Sequence, residues 1–253
     1  MSDGGGMELF LELFSGLPRQ GPGDAECTAR ALSLLPPLGP GARILDIGSG
    51  TGAQTLELAR LTPANIVAVD FHPPFIDELN ASAARLGFAS RVRGVVQDMH
   101  RLEFSGQRFD VLWCEGAIFI IGFDAGLEAW RELLRADGHL AVSELCWLKA
   151  DPPRECCEWL VAEYPPVRSL TANREAIARA GYVLVGDFVV PTSAWWRDYY
   201  DPLQRNIDRF RDVHRGDPIA NAVAKNVECE ISMFRRYSDQ YGYAFFVMRK
   251  GGD

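Results

Sequence analysis

Short apolar runs alternate with amphipathic stretches along most of the chain. From Arg43 onward, runs of strand length are separated by stretches in which apolar residues recur three or four positions apart. This alternation is typical of βαβ units, in which a crossover helix returns the chain to the next parallel strand. The predicted strands are residues 43–47, 66–70, 92–96, 109–113 and 139–144.

Two of the crossover helices carry recognisable end signals. Pro73 opens the helix between the second and third strands, and Gly87 follows its last turn. Between the fourth and fifth strands an apolar helical repeat runs from Leu127 to Leu134, and Gly138 is predicted to close that helix. Each connection therefore has the length of a crossover helix.

The flanking segments predict a single elaborated domain. Two helices, joined by a Gly/Pro-rich loop, precede the first strand. The fifth strand is followed by a helical stretch around Cys156, a helix ending at Gly181 and two further strands. The segment between those two strands is much longer than a hairpin loop of about 2–5 residues. We interpret residues 1–253 as one domain with a helical lid (1–40), a core (41–191 and 242–253) and a helical insertion over the sheet edge (192–241).

Charge and composition exclude several classes of partner. The net charge is −8, and the lysines and arginines are scattered, so no basic surface for nucleic acid is indicated. The first helical stretch contains Glu8 and Glu12, which does not fit a signal peptide, and no apolar run reaches membrane-spanning length. The six cysteines lack the spacing of a zinc or redox motif. We expect a cytoplasmic protein with no membrane, nucleic-acid or metal partner.

A glycine-rich turn between the first strand and the next helix is the main chemical signal. Its glycines permit a sharp turn and close approach to a ligand, and the following helix N-terminus offers free N–H groups. The dinucleotide-binding pattern G-x-G-x-x-G/A is also satisfied, by Gly48, Gly50 and Ala53, with Asp70 as the acidic residue further on. Asp46, however, precedes Gly48 by two positions, where it would repel a pyrophosphate and attract an ammonium group.

The sequence Asp46-x-Gly48-x-Gly50-x-Gly52 resembles the first motif of class I S-adenosylmethionine-dependent methyltransferases. The resemblance extends from Arg43 to Arg249, and the layout is also similar to a bacterial UbiE-like subgroup (methyltransferase type 11). It implies an α/β doubly wound sheet of seven mostly parallel strands, ordered 3-2-1-4-5-7-6 with strand 7 antiparallel. It also implies S-adenosylmethionine as cofactor, S-adenosylhomocysteine as product and a small-molecule methyl acceptor.

The resemblance assigns the ends of three successive strands to the cofactor. The glycine loop would hold its methionine moiety, Asp70 the ribose hydroxyls and Asp98 the adenine amino group, between apolar walls from Phe71 and Met99. Separately, the glycines that flank Arg19 and Gln20 suit a hinge, so this segment is predicted either to close over the cofactor as a lid or to be an ordinary solvated loop. The predicted cofactor-binding residues are Arg19, Asp46, Gly48, Ser49, Gly50, Gly52, Gln54, Asp70, Phe71, Gln97, Asp98, Met99 and Glu115.

The acceptor side is predicted from an unusually apolar connection, residues 114–123. Glu115, at its start, is the candidate for orienting or deprotonating the acceptor; alternatively it caps the next helix or touches only the cofactor. Methyl transfer can also proceed by alignment in a dry pocket without a base. The predicted pocket residues are Phe119, Trp147, Trp159, Trp196, Tyr199 and Tyr200, for which core packing or a homodimer interface is the alternative.

Three other functions stay open at this point. A nicotinamide-dependent oxidoreductase would fit the same sheet, although the sequence contains no Tyr-x-x-x-Lys proton relay. A thiol-assisted metalloid methyltransferase is the second alternative, because Cys114 and Cys146 lie at adjacent strand ends. A non-catalytic S-adenosylmethionine-binding or interaction protein is the third, because a fold does not by itself imply turnover.

Overall fold

The computed structural model describes residues 4–104, 106–164 and 167–252. Its strands follow apolar runs of the chain, and the central ones are buried on both faces, as expected in a sheet covered by helices. The strands are β1 (Arg43–Ile47), β2 (Asn65–Asp70), β3 (Val92–Val96), β4 (Phe109–Cys114), β5 (Leu134–Trp147), β6 (Arg168–Ser169), β7 (Tyr182–Val189) and β8 (Tyr241–Lys250).

Helices occupy the connections and both flanks of this strand series. They are α1 (Gly4–Leu13), α2 (Ala25–Ser33), α3 (Ala53–Leu61), α4 (Pro73–Arg85), α5 (Phe123–Arg131), α6 (Arg154–Glu163), α7 (Leu170–Arg179), α8 (Ser193–Trp195), α9 (Asp201–Val213) and α10 (Pro218–Tyr237). A 3₁₀ turn (Ile118–Ile120) lies between β4 and α5, and a π-helical turn (Trp196–Tyr200) joins α8 to α9.

The sheet has the order β3-β2-β1-β4-β5-β8-β7, with β6 paired to the end of β5. β8 runs antiparallel to both of its neighbours, and the other pairings are parallel. Apart from the two-residue strand β6, this is the predicted order, with β7 and β8 as the predicted sixth and seventh strands. The order reverses beside β1, which creates the crevice where doubly wound sheets bind ligands.

Two apolar clusters cover the two faces of the sheet. One joins α1, α2 and the helices α8–α10 to side chains such as Trp113 and Phe245. The other joins α5 and α7 to side chains such as Leu112 and Phe246. The chain segment between β7 and β8 therefore packs on one face of the sheet together with the N-terminal helices.

One predicted boundary is wrong. The helix after β4 ends at Arg131, and β5 already begins at Leu134, so Gly138 does not close that helix. The first residues of β5 instead turn through Asp137, whose φ is 59°, and the register with β4 shifts before His139. The apolar spacing of Leu127, Trp130 and Leu134 continues across this boundary, so it could not reveal where the helix ends.

Within the described residues, no helix is both long and apolar enough to cross a lipid bilayer. In the same part of the chain, no three His, Cys, Asp or Glu side chains are grouped closely enough to hold a metal ion.

Candidate active site

The glycine loop lies between β1 and α3, at the carboxyl edge of the sheet. Gly48, Gly50 and Gly52 have φ values of 72°, 56° and 88°, in the left-handed region that favours glycine. The N–H groups of Gly48 and Ser49 both donate to the carbonyl of Val69, each at 2.9 Å. The loop is thus fastened to the end of β2 while α3 begins directly behind it.

Asp70, the last residue of β2, contacts this loop directly. Its Oδ2 accepts a hydrogen bond from the Gly50 N–H at 2.9 Å, and its Oδ1 accepts one from the His72 N–H at 2.9 Å. The side chain is largely buried, and burial raises the pKa of its carboxyl, opposed by these hydrogen bonds. The predicted ribose-binding carboxylate therefore lies beside the loop predicted to hold the methionine moiety.

Asp46 is fully buried beneath the glycine loop. Its Oδ2 accepts a hydrogen bond from the Thr55 hydroxyl at 2.5 Å, and its Oδ1 accepts one from the Gln54 side-chain amide at 3.4 Å. Burial raises the pKa of Asp46 to about 7, and the nearby Glu115 charge adds to this effect. Gln54 also donates to the carbonyl of Ser49 at 3.2 Å, which links Asp46 to the loop.

The residues predicted to surround the adenine follow the ends of β2 and β3. Asp98 is exposed, and its Oδ1 accepts from the backbone N–H of His100 at 2.9 Å; this bond lowers the pKa of its carboxyl. Met99 is buried, and its methyl carbon would lie 3.2 Å from a Cβ at Gly48. Phe71 is 50 % exposed, an unusual position for a phenyl ring. Gln97 accepts from the Glu103 N–H at 3.1 Å.

Glu115, directly after β4, is the centre of a buried polar cluster. Arg19 forms an ion pair with its Oε2, while the Thr28 hydroxyl and the Trp113 indole N–H each donate to its Oε1 at 2.8 Å. The side chains of Arg19 and Glu115 are 8 % and 3 % exposed. Two segments distant in the sequence, the N-terminal region and the end of β4, are therefore joined at one carboxylate.

Gln20 extends the same contact to the glycine loop. Its Oε1 accepts from the backbone N–H and from the hydroxyl of Thr51, both at 2.9 Å. A Cβ at Gly50 would lie only 2.6 Å from this oxygen, so the close approach of Gln20 requires glycine. The segment Arg19–Gln20 thus contacts both the glycine loop and Glu115.

A family model described as a methyltransferase domain matches residues 44–138. This range contains the glycine loop, the strand-end carboxylates and Glu115. Residues 44–138 therefore form a methyltransferase domain.

Known proteins agree with this assignment. The C-methyltransferase UbiE of ubiquinone and menaquinone biosynthesis from Geotalea uraniireducens is 33 % identical over 107 residues, which are 41 % of this methyltransferase and 46 % of UbiE. The uncharacterized protein YjhP from Escherichia coli is 24 % identical across 83 % of this chain and 85 % of its own. The methyltransferase therefore aligns with less than half of UbiE but with most of YjhP.

A solved structure of a Geobacter sulfurreducens S-adenosylmethionine-dependent methyltransferase, in complex with S-adenosylhomocysteine, has the same fold. It superimposes with a TM-score of 0.81 over 95 % of this chain and 97 % of its own, at 23 % sequence identity. At this identity the likeness establishes the fold.

The predicted acceptor-pocket aromatics form three contact groups in this methyltransferase. Phe119 packs edge-on against Tyr164, with ring centroids 5.5 Å apart. Trp147 and Trp159 both contact Tyr241, with centroids 6.5 Å and 6.1 Å from it. The third group consists of Trp196, Tyr199 and Tyr200, which contact one another through Tyr200. Phe234 contacts both Tyr200 and Tyr241, so the second and third groups belong to one apolar cluster on the same face of the sheet.

Within the third group, burial differs strongly. Tyr200 is fully buried and Tyr199 is 5 % exposed, and the hydroxyls of both donate to Oε1 of Glu230, at 2.8 Å and 3.4 Å. Trp196 is partly exposed, with the Arg235 guanidinium 4.9 Å from its ring centroid. The two tyrosines therefore present their hydroxyls to a carboxylate that the sequence analysis did not select.

Glu144 and Glu230 are two acidic residues that sequence reasoning missed. Glu144 is 6 % exposed, its Oε2 has no hydrogen-bond partner among the described residues, and burial raises the pKa of its carboxyl to about 8. Glu230 lies on α10 three positions after the buried Val227 and four before the buried Phe234. A carboxylate inside an apolar strand, or on the apolar stripe of a helix, is the signal that could have identified them.

The buried thiols show no sign of activation. Cys114 and Cys146 are both inaccessible, and burial raises the pKa of each, that of Cys146 to about 12. Because the thiolate is the reactive form, these environments oppose nucleophilic or metalloid-binding roles. The Cys146 thiol instead donates to the carbonyl of Glu144 at 3.3 Å.

Replacing Gly48 by alanine is expected to destabilise the fold by about 2–4 kcal/mol. The substitution combines the cost of a left-handed backbone with overpacking, since the new Cβ would lie 2.6 Å from the Cβ of Ala117. Urea unfolding measures the change. Gly87→Ala is the matched control, because Gly87 has a φ of 77° but no atom within 4 Å of the point where a Cβ would lie. Equal losses for the two variants would contradict the packing argument.

Proposed function

We propose that this methyltransferase binds S-adenosylmethionine along the carboxyl ends of β1, β2 and β3 and methylates a small molecule held above β4 and β5. The observation that carries the proposal is the hydrogen bond from the Gly50 N–H to Asp70, which joins the two predicted halves of the cofactor site at the reversal of strand order. When bound, the cofactor supplies an electrophilic methyl group on a sulfonium.

The residues present fit such a ligand. Asp70 has carboxylate lone pairs for ribose hydroxyls beyond the two hydrogen bonds it already accepts, and the exposed Asp98 can accept from an exocyclic amine. The exposed ring of Phe71 and the buried side chain of Met99 offer apolar surface to the base. Asp46 supplies a negative charge beneath the loop, where the cofactor's ammonium group would be favoured.

The glycine loop and its neighbours complete the proposed set. The loop backbone that approaches the methionine moiety consists of Gly48, Ser49, Gly50 and Gly52. Gln54 holds this loop in place by donating a hydrogen bond to the carbonyl of Ser49. Gln97 lies between the β3 end and Asp98, and its N–H donates to the carbonyl of Asp70 at 3.0 Å.

We infer that Glu115 is a positioning residue rather than a general base. Both of its oxygens already accept hydrogen bonds, one of them from a guanidinium, so neither oxygen is free to accept a proton from the acceptor. Arg19 and Gln20 are thereby held against the glycine loop, where they exclude water from the proposed cofactor site. Transfer then depends on alignment of the methyl group and the acceptor in a dry pocket.

Calorimetric titration with S-adenosylhomocysteine, S-adenosylmethionine, NAD and NADP tests the proposal. We expect saturable binding of the two sulfur ligands and at least ten-fold weaker binding by Asp70→Asn, since the substitution removes the charge that strengthens hydrogen bonds to the ribose hydroxyls. Asp187→Asn is the matched control, because Asp187 is a strand residue at the far edge of the sheet, paired with Arg174. Preference for a nicotinamide cofactor, or equal effects of both variants, would contradict the proposal.

A further inference from the structure

Glu230 is a carboxylate in aromatic surroundings that has no cationic partner among residues 4–104, 106–164 and 167–252. Among the described residues, its hydrogen bonds come from the hydroxyls of Tyr199 and Tyr200, and both reach the same oxygen, Oε1. Burial raises the pKa of its carboxyl, and the neighbouring charge of Glu163 acts in the same direction. An anion in such a place is costly unless a positive charge accompanies it.

The charge of Glu230 also acts on three further tyrosines. It contributes to the raised pKa values of Tyr164, Tyr241 and Tyr243, each of which is raised mainly by burial. The Tyr241 side chain is 2 % exposed, and its hydroxyl has no hydrogen-bond partner in the described part of the chain. A buried hydroxyl normally has a partner, so this atom indicates a polar group that the described residues do not supply.

Tyr243 connects this cluster to the candidate active site. A Cβ at Gly116, two residues after β4, would lie 4.0 Å from the Tyr243 hydroxyl oxygen. Gly116 follows Glu115, the carboxylate that fastens Arg19, and its N–H donates to the Ser143 hydroxyl at 2.8 Å. Tyr243 therefore borders the end of β4, on the side where the acceptor is proposed to lie.

We propose that Glu230 and its surrounding tyrosines bind an ammonium group of the methyl acceptor, so that the substrate is an amine-bearing small molecule. This inference rests on the proposed methyl-transfer function and deepens it. An ammonium group offsets the buried negative charge, and the electron-rich faces of aromatic rings favour a cation. The Glu230 residue as a whole keeps partial exposure, which is compatible with access from outside.

The preference of this site for a cation can be tested without knowing the acceptor. Choline and 3,3-dimethylbutan-1-ol have nearly the same shape, but only choline is a cation. Titrated by calorimetry into the protein saturated with S-adenosylhomocysteine, choline is expected to bind at least ten-fold more tightly than the neutral alcohol. Glu230→Gln, which keeps an acceptor oxygen for both tyrosine hydroxyls, is expected to abolish this preference.

Glu228→Gln is the matched control on the same helix. Glu228 pairs with Arg211 at 2.7 Å and is 43 % exposed, so its replacement is expected to leave the choline preference intact. Equal binding of choline and the alcohol by the unmodified protein would overturn the inference, even if Glu230→Gln does not fold. S-adenosylhomocysteine binding, measured first, separates the two levels: its absence refutes the proposed function, whereas its presence without choline preference refutes only the ammonium site.

Discussion

Glu115→Ala is expected to lower the affinity for S-adenosylhomocysteine at least ten-fold and to destabilise the fold by about 3–5 kcal/mol. The substitution leaves the Arg19 guanidinium buried without its carboxylate, and an uncompensated buried charge has a cost of this size. It also removes the acceptor for Thr28 and Trp113. The N-terminal segment would then lose its attachment to β4. Calorimetry and urea unfolding measure the two effects.

The partner variants make this prediction specific. Arg19→Met removes the guanidinium but leaves Glu115 with two hydrogen-bond donors, so it is expected to cost less stability than Glu115→Ala. Adding Arg19→Met to Glu115→Ala removes the stranded charge and should recover part of the lost stability. If the double variant were less stable than Glu115→Ala, the uncompensated charge would not be the cause.

Asp46→Asn is expected to stabilise the protein at alkaline pH while weakening cofactor binding. The carboxyl has a pKa raised from 3.8 to about 7 in the folded state. The contribution of the Asp46 carboxyl to the stability of the fold is therefore fully present below about pH 4 and is lost as the pH rises through about 7. Asparagine does not titrate, so it adds no such pH dependence to the free energy of unfolding. The free energy of unfolding of the variant, relative to that of the wild type, is therefore expected to be about 3 kcal/mol higher at pH 8 than at pH 5.

Urea unfolding at pH 5 and pH 8 measures this gain as a difference between the two proteins. Glu144 and Glu230, whose pKa values are also raised, are present in both proteins, so their contributions cancel. The same substitution removes the negative charge proposed to face the cofactor's ammonium group. S-adenosylhomocysteine should consequently bind less tightly to the more stable protein. A gain that is equal at both pH values would show that Asp46 is not protonated in this window.

The sequence predicted the framework of the site because that framework is built from local patterns. Apolar runs of strand length and helical repeats located β1 to β4 within one residue, and glycine spacing located the loop before α3. The positions of Asp46, Asp70 and Asp98 follow from the same register, since the carboxyl ends of parallel strands meet at one edge. Local pattern was insufficient at Gly138, where the helical spacing continued into a strand.

The tertiary structure alone decided how the polar side chains are used. Thr28 and Arg19 are 87 and 96 positions from Glu115, and no local signal brings them to one carboxylate. Glu230 is 30 positions from Tyr200, on a different helix. Strand and helix identity are set by short-range periodicity, whereas the partner of a buried charge is set by which distant segments pack together, and that depends on the folded arrangement of the whole chain.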